Sequence, residues 1–397
     1  MLAPTPQKPR ILLVDPFFGS LGGGVMVSCW IAEALRQHAD LTWLTWRGLD
    51  YAKLNRFAGT ELDPQSVRTR AAHPVARALG EILNRVDKDP YSTQRWAILM
   101  RQARRMAKDF DLVIGCNDEV DFGAPCIQYI HYPYMHRAME RRGAHLDLKR
   151  AVRYRPWRVI SGFQAHRFVQ NLTLVNSNWT GRKLQEFYGL GSRTVHPPVP
   201  GHFDVKPWGA RDNAAICVGR IAGDKRIDQI IATVRKVREA VPDFRLLIAG
   251  VPYSGPGGDD GMAFVQAAAA RHDWIDLHLN LPRAELCTLI SRARIGIHAK
   301  QDEHFGISVA ELVKAGAIVF VHDSGGQIEI VKNDERLTYT TATEAADKII
   351  AVLRDPKLRD AVATSLAAQR EQLGTKAFCD TIREIVFEAL HLETPIP

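Results

Sequence analysis

Short apolar runs alternate along the chain with longer stretches in which apolar residues recur every three or four positions. RILLVD (10–15), LTWLTW (41–46), DLVIGC (111–116), IQYIHY (127–132) and LTLVNS (172–177) read as strands, and VMVSCWIAEALRQH (25–38) has helical spacing. A second series begins at AAICVGR (214–220) and runs through FRLLIAG (244–250), WIDLHL (274–279), RIGIHAK (294–300) and AIVFVHD (317–323), with helical patterns between them. Near-continuous apolar strands separated by helices predict parallel sheets covered by crossover helices, an α/β fold.

The two series are divided by HPPVPGHF (196–203), where three prolines in four positions forbid a helix and stiffen the connection. The expected domains are therefore residues 1–200 and 201–375. The tail 376–397, opening with KAFCDTIREIVFEALHL, reads as an amphipathic helix that crosses back to the first domain. A length of 397 residues also favours two cores over one. Two doubly wound domains facing each other would enclose a central cleft, and ligands of open α/β sheets bind at the carboxyl ends of the strands.

Composition narrows the class. The chain is 46% hydrophobic and 24% charged, with six cysteines in no metal-binding or C-x-x-C pattern. That usage fits reduced thiols in a cytoplasmic protein. No apolar run reaches the roughly 18 residues a membrane span needs. The net charge is +8, and nine Lys or Arg against two acids between His131 and Gln170 leave +7 in that one segment. Its bland reading is a solvated helix face. Its sharper reading is an anionic membrane or acceptor surface built on Arg150, Arg153, Trp157 and Arg158, with Tyr154 and Phe163 interleaved. No nucleic-acid motif accompanies the charge, so a nucleic-acid partner is not expected.

Four motifs carry candidate chemistry. In VDPFFGSLGGGVMVSCW a strand ends at Asp15, and Gly22, Gly23 and Gly24 precede a helix, which admits close backbone approach by a ligand. In AICVGRIAGDKRID, Arg220 and Lys225 stand at a strand end, where fixed cations suit a diphosphate leaving group. In QDEHFGISVAELVKAG, Glu303 lies in the loop before a helix and Glu311 lies on it. At about 1.5 Å of rise per residue the two carboxylates stand on either side of the helix N-terminus, roughly 10 Å apart. Between them the amides of Phe305, Gly306 and Ile307 make an anion site. A nucleotide diphosphate-sugar has that layout of hydroxyls, phosphates and hydroxyls. The bland alternative is a capping Glu303 and a salt-bridged Glu311. His131, ending the strand IQYIH before Tyr132 and Pro133, would face the cleft.

These residues together resemble the retaining glycosyltransferases of family 4, which have the GT-B fold and a Glu-x7-Glu motif like Glu303 and Glu311. The stretch NLPRAELCTLISRARIGIHAKQDEHFGISVAELVKAGAIVFVHDSGGQIEIV (280–331), with YIHYP and VNSNWT upstream, is most similar to the branch that adds α-1,2-mannose to lipid-linked oligosaccharide from GDP-mannose. The likeness is strong over 210–335, patchier over 10–30 and 110–200, and not visible over 45–105. It implies two Rossmann-like domains around a central cleft. Arg220 and Lys225 would bind the donor diphosphate, Glu303 the sugar and Glu311 the ribose. Gly24 would approach the phosphate or sugar, His131 would contact the transferred sugar, and Leu279, Asn280 and Leu281 would flank the base. The family needs no metal and no cofactor beyond its nucleotide-sugar substrate. The start of the chain lacks that branch's membrane anchor, so the expectation is a bacterial relative, cytoplasmic or peripheral on the inner face of the membrane. A hexosyltransferase acting on a glycan or lipid-linked acceptor is the leading reading, with mannose from GDP-mannose as the first choice. A UDP-sugar donor, a nucleotide-sugar 2-epimerase and a non-catalytic nucleotide-sugar-binding protein remain as alternatives.

Overall fold

The computed structural model describes residues 8–18, 21–87, 93–135, 156–253 and 258–391. The chain divides into two compact units, Met1–Pro198 with Thr375–Pro397, and Val199–Gly374.

Unit 1 is built on a seven-stranded sheet of β1 (Arg10–Val14), β2 (Asp40–Thr45), β3 (Val67–Ala71), β4 (Leu112–Gly115), β5 (Ile127–Ile130), β6 (Leu172–Val175) and β7 (Arg193–Thr194). Every pairing is parallel, in the order β3-β2-β1-β4-β5-β6-β7. Ile11, Leu12, Leu13 and Val14 of β1 are fully buried, as a central strand covered on both faces requires. The helices α1 (Gly23–Leu35), α2 (Tyr51–Ala58), α3 (Pro74–Asp87) and α4 (Thr93–Met106) follow along the first half of the unit. The C-terminal helix Thr375–His391 packs against α1 and buries Phe378, Ile382, Ile385 and Val386. The strand order reverses between β1 and β4, so their carboxyl ends open the crevice in which a doubly wound sheet binds its ligands.

Unit 2 holds β8 (Asp212–Ile221), β9 (Arg245–Pro252), β10 (Ile275–Leu279), β11 (Ala293–His298), β12 (Ile318–His322) and β13 (Thr338–Tyr339). They too are all parallel, in the order β10-β9-β8-β11-β12-β13. One apolar core runs from Val199 to Leu373, and the Val199 amide donates to the Leu373 carbonyl at 3.2 Å, closing the unit where its chain enters and leaves. The reversal of order here falls between β8 and β11.

Three strands were not anticipated from the sequence: β3, β7 and β13. β7 and β13 are two residues long, too short to make a pattern. β3 reads VRTRA because it is an edge strand whose Arg68 and Arg70 are exposed, so its alternation is polar rather than apolar.

The aromatic part of the expected membrane surface needs correction. Trp157 is fully buried and Phe163 nearly so, and they stack with Phe168 and Tyr188 in a chain of ring contacts inside the unit 1 core. These two aromatics serve packing instead. Two of the nearby cations neutralise a buried acid: Arg104 and Arg167 reach Asp121 at 2.7 and 3.1 Å. Arg158 is half-buried. Arg150 and Arg153, with the rest of the basic stretch from Arg137 to Arg155, lie outside the described residues. All six cysteines are buried free thiols, and among the described residues no helix is long and apolar enough to cross a membrane.

Candidate functional site

At the carboxyl edge of the unit 2 sheet, β8 delivers Arg220 and then a single 3-10 turn, Gly223–Lys225, delivers Lys225. The Arg220 guanidinium lies 4.5 Å from the Tyr253 ring centroid and 3.8 Å from Asp224, with its side chain 46% exposed. A guanidinium held over a ring and left in reach of solvent is placed to meet an incoming anion. Lys225 is more enclosed, and its Nζ stands 2.7 Å from Glu303 Oε2. Lys300 approaches the other carboxylate oxygen at 3.5 Å, and His298 Nε2 lies 3.7 Å from Oε2. Burial alone would raise the Glu303 carboxyl, but Lys225 and then Lys300 hold it well below the ordinary carboxylate range. Glu303 is therefore an anion at any working pH.

The backbone under Glu303 is fixed by the turn after β12. A Cβ at Gly325, whose φ is +80°, would fall 2.4 Å from the Glu303 carbonyl oxygen, and the Gly326 amide donates to that carbonyl at 2.7 Å. Ser324 Oγ accepts from the Asp302 amide at 2.8 Å. Gln327 Oε1 meets His298 Nδ1 at 2.7 Å, and its Nε2 donates to the carbonyls of Lys300 at 2.8 Å and His322 at 3.0 Å. With Nδ1 donating to an amide oxygen, the buried His298 Nε2 carries a lone pair and has no hydrogen-bond partner. Burial pushes His298 down to about 4, with Lys225 adding to the effect, so the ring is neutral.

Helix Ile307–Lys314 begins after Gly306, whose φ of +101° only glycine adopts without strain. Phe305 is buried in the core, and Ile307 opens the first turn. One turn on, Glu311 is 5% exposed, with Oε1 2.6 Å from Arg283 Nη1. Burial raises its carboxyl, while Arg283 and Lys314 pull it down. Arg283 also donates to the Pro200 carbonyl at 2.6 Å and Lys314 to that of Val199, also at 2.6 Å. Leu279 ends β10, Asn280 follows with φ +55° and donates to the Gly250 carbonyl at 3.0 Å, and Leu279 and Leu281 rest against the core.

Unit 1 gathers a second set at its own carboxyl edge. Gly23 and Gly24 open α1, and a Cβ at Gly24 would stand 3.3 Å from His131 Nε2, so glycine lets the helix start approach the imidazole. His131 follows β5, its carbonyl accepts from Asn176 Nδ2 at 2.9 Å, and its buried Nε2 has no hydrogen-bond partner. Burial pushes its pKa down to about 4 against the pull of the Cys116 backbone. Close by in the sheet order lie two acids after β1 and β4. Asp15 is buried and raised by burial, though the Ser28 hydroxyl and the Phe17 amide donate to it. Asp118, at φ +47°, is raised to about 7 by burial and then by Asp15.

In unit 2 the structure thus brings Arg220, Lys225 and Glu303 to one sheet edge, and it places Glu311 in a separate ion pair. His298, Lys300, Gln327, Gly325 and Arg283 were missed by the sequence reading. The signals for two of them were in the sequence: His298 ends RIGIH, and the SGGQ turn directly follows the strand AIVFVHD.

Residues 201–366 match the family model described as glycosyl transferases group 1. Among curated proteins, the chain is 29% identical over 182 residues to the human GDP-Man:Man(3)GlcNAc(2)-PP-Dol alpha-1,2-mannosyltransferase, covering 41% of this chain and 36% of that one. It is 26% identical over 202 residues to the protein of the same name from Dictyostelium discoideum, covering 46% and 40%. The chain thus spans well under half the length of these relatives. Among solved structures, sucrose-phosphate synthase from Thermosynechococcus elongatus superposes with a TM-score of 0.68 at 16% identity, over 96% of this chain and 99% of that one. HepE from Anabaena, in complex with UDP and glucose, superposes with a TM-score of 0.65 at 16% identity, over 96% and 100%. These likenesses establish the GT-B fold, with two Rossmann-like units.

Proposed function

We propose that the chain, whose residues 201–366 match the model of glycosyl transferases group 1, is a retaining hexosyltransferase whose donor is a nucleotide diphosphate-sugar. GDP-mannose is the donor of choice, because the curated relatives that the chain resembles are named for it. The observation that carries the reading is the meeting of Arg220, Lys225 and the ionised Glu303 at one sheet edge in unit 2.

The chemistry assigned to them is charge stabilisation. As the bond between the anomeric carbon and the phosphate oxygen breaks, negative charge grows on the diphosphate, and the two cations face it without reorganising. Glu303 accepts hydrogen bonds from sugar hydroxyls and orients the ring. The acceptor hydroxyl attacks from the face the diphosphate leaves, and its proton passes to the departing phosphate oxygen. That path keeps the anomeric configuration without a protein nucleophile, and it asks for no metal. In unit 1 we assign the neutral His131 Nε2, an acceptor with no partner of its own, to a hydroxyl of the sugar or its acceptor. The acceptor is a glycan or a lipid-linked saccharide.

Calorimetric titration with GDP-mannose, UDP-glucose and UDP-N-acetylglucosamine tests the donor, and product analysis with and without a lipid-diphosphate saccharide tests transfer. Binding of GDP-mannose in preference to both UDP-sugars is expected, with release of GDP when acceptor is present. No binding of any of the three overturns the reading, and interconversion of sugars without acceptor would point to an epimerase.

A further inference from the structure

Helix α3 carries apolar side chains that the fold leaves at the surface. It is seated through Gly80, where a Cβ would fall 2.5 Å from the buried Trp46 ring. Elsewhere on the helix, Val75, Leu79 and Ile82 are 72%, 51% and 58% exposed. Ala78 is exposed as well. The four stand at i, i+3, i+4 and i+7 and form one stripe. Apolar side chains scattered over a surface need no account, but a helical stripe of them marks an interaction face.

The charge beside the stripe says what it meets. Glu81 on α3 is engaged by Arg47 at 3.2 Å, Arg95 at 3.4 Å and Trp46 Nε1 at 3.0 Å. The adjoining helix α4 packs against α3 and contains four arginines and no acid. Of these, Arg101 and Arg105 are exposed and one turn apart. Arg85 is exposed on α3 itself, and Arg68 and Arg70 are exposed on β3, which leads into it. A second copy docked stripe to stripe by two-fold symmetry would bring these same arginines together, so self-association is opposed by charge. An apolar stripe flanked by guanidinium groups is instead the chemistry of an anionic lipid surface, where alkyl side chains enter the acyl boundary and cations meet phosphates. We propose that α3 and α4 dock unit 1 on an anionic bilayer. This goes beyond the donor assignment and does not depend on it, since the vesicle assay below contains no nucleotide.

The full chain is sedimented with vesicles of phosphatidylcholine alone or mixed with phosphatidylglycerol, at low and high salt. Binding to the anionic vesicles at low salt is expected, at least about tenfold weaker on phosphatidylcholine alone and at high salt. Leu79→Gln with Ile82→Gln should weaken it about tenfold with little change in melting temperature, because both side chains are more than half exposed. Arg101→Glu with Arg105→Glu should weaken it as much with the stripe intact. Wild-type protein that ignores anionic vesicles overturns the proposal, as does a glutamine double variant that binds equally well. It also falls if Arg150→Glu with Arg153→Glu abolishes binding while both α3 and α4 variants bind normally, or if the glutamine variant instead dissolves a wild-type dimer that never binds vesicles.

Discussion

Lys225→Ala should destabilise unit 2 in the absence of any ligand. The ammonium stands 2.7 Å from Glu303, and the two side chains are 16% and 13% exposed. Removing one partner of a fully buried pair costs about 3–5 kcal/mol, because the other charge is left in a poor solvent. Here Lys300 remains at 3.5 Å and some water reaches the site, so about 2 kcal/mol is the expected loss. For a domain of this size that is about 4–8 °C in melting temperature, read by calorimetry. The pH dependence has a fixed sign. Glu303 is held below its unfolded value, so its contribution is present above the unfolded pKa of 4.5 and fades as pH falls through the lower folded value. The penalty in Lys225→Ala should therefore be full at pH 7 and shrink in acid. Combining it with Glu303→Gln removes both charges and should cost less than the sum of the single changes by about 1–2 kcal/mol. An unchanged melting temperature in Lys225→Ala, or strict additivity in the double variant, would refute the pairing as an energetic unit.

The same lysine and Arg220 are assigned to the diphosphate, so Arg220→Ala and Lys225→Ala should each weaken GDP binding by about 1.5–3 kcal/mol, and unchanged calorimetric affinity in both would remove that assignment. Glu303→Gln should spare free-nucleotide affinity and lower turnover, whereas Glu311→Gln should weaken GDP and GDP-mannose alike; equal losses of GDP affinity reverse the two ends. Gly325→Ala places a Cβ where the Glu303 carbonyl stands and asks a left-handed residue of alanine at about 1–2 kcal/mol. Transfer should therefore fall with little change in GDP affinity, and wild-type turnover would show that the turn does not position Glu303. In unit 1 the buried Glu119 carboxyl is raised to about 8 by burial and then by Asp118. Its contribution to stability is full below the unfolded pKa of 4.5 and is lost as pH rises through 8. Glu119→Gln should keep its acceptor for the Met135 amide and flatten the fall in melting temperature between pH 5 and 8. A parallel pH profile would refute the shift.

What was legible in the sequence follows from how each part is built. Central strands such as RILLV and IVFVH are apolar on both faces and announce themselves, whereas β3 is an edge strand whose Arg68 and Arg70 face water and conceal its period. Trp157 and Phe163 misled because an aromatic beside cations has the same composition whether it points into a core or a membrane, and burial decides. The stripe on α3 escaped for the opposite reason: its spacing is that of any core-facing helix, and only the inward position of Gly80 shows that another part of the helix is the seated one. Arg220, Lys225 and Glu303 could be grouped because strand ends converge in a doubly wound sheet. His298 and Gln327 could not, since a buried histidine and glutamine act here through one hydrogen bond between positions 29 residues apart.

Both glutamates are already ion-paired, which at first favours the plain structural account of them. The physical requirements of the functional account remove the conflict. A carboxylate that accepts sugar or ribose hydroxyls must stay ionised, and burial works against that at both positions. A neighbouring cation keeps the charge in place while using part of the acceptor capacity, since two carboxylate oxygens offer about four lone pairs. Arg283 contacts Glu311 through Oε1, and Lys225 contacts Glu303 through Oε2. An ammonium has three donors, so Lys225 can hold Glu303 with one and meet a diphosphate oxygen with another. Under the proposed assignment, the salt bridge would let one side chain, Lys225, both hold the sugar-orienting carboxylate and meet the leaving-group charge.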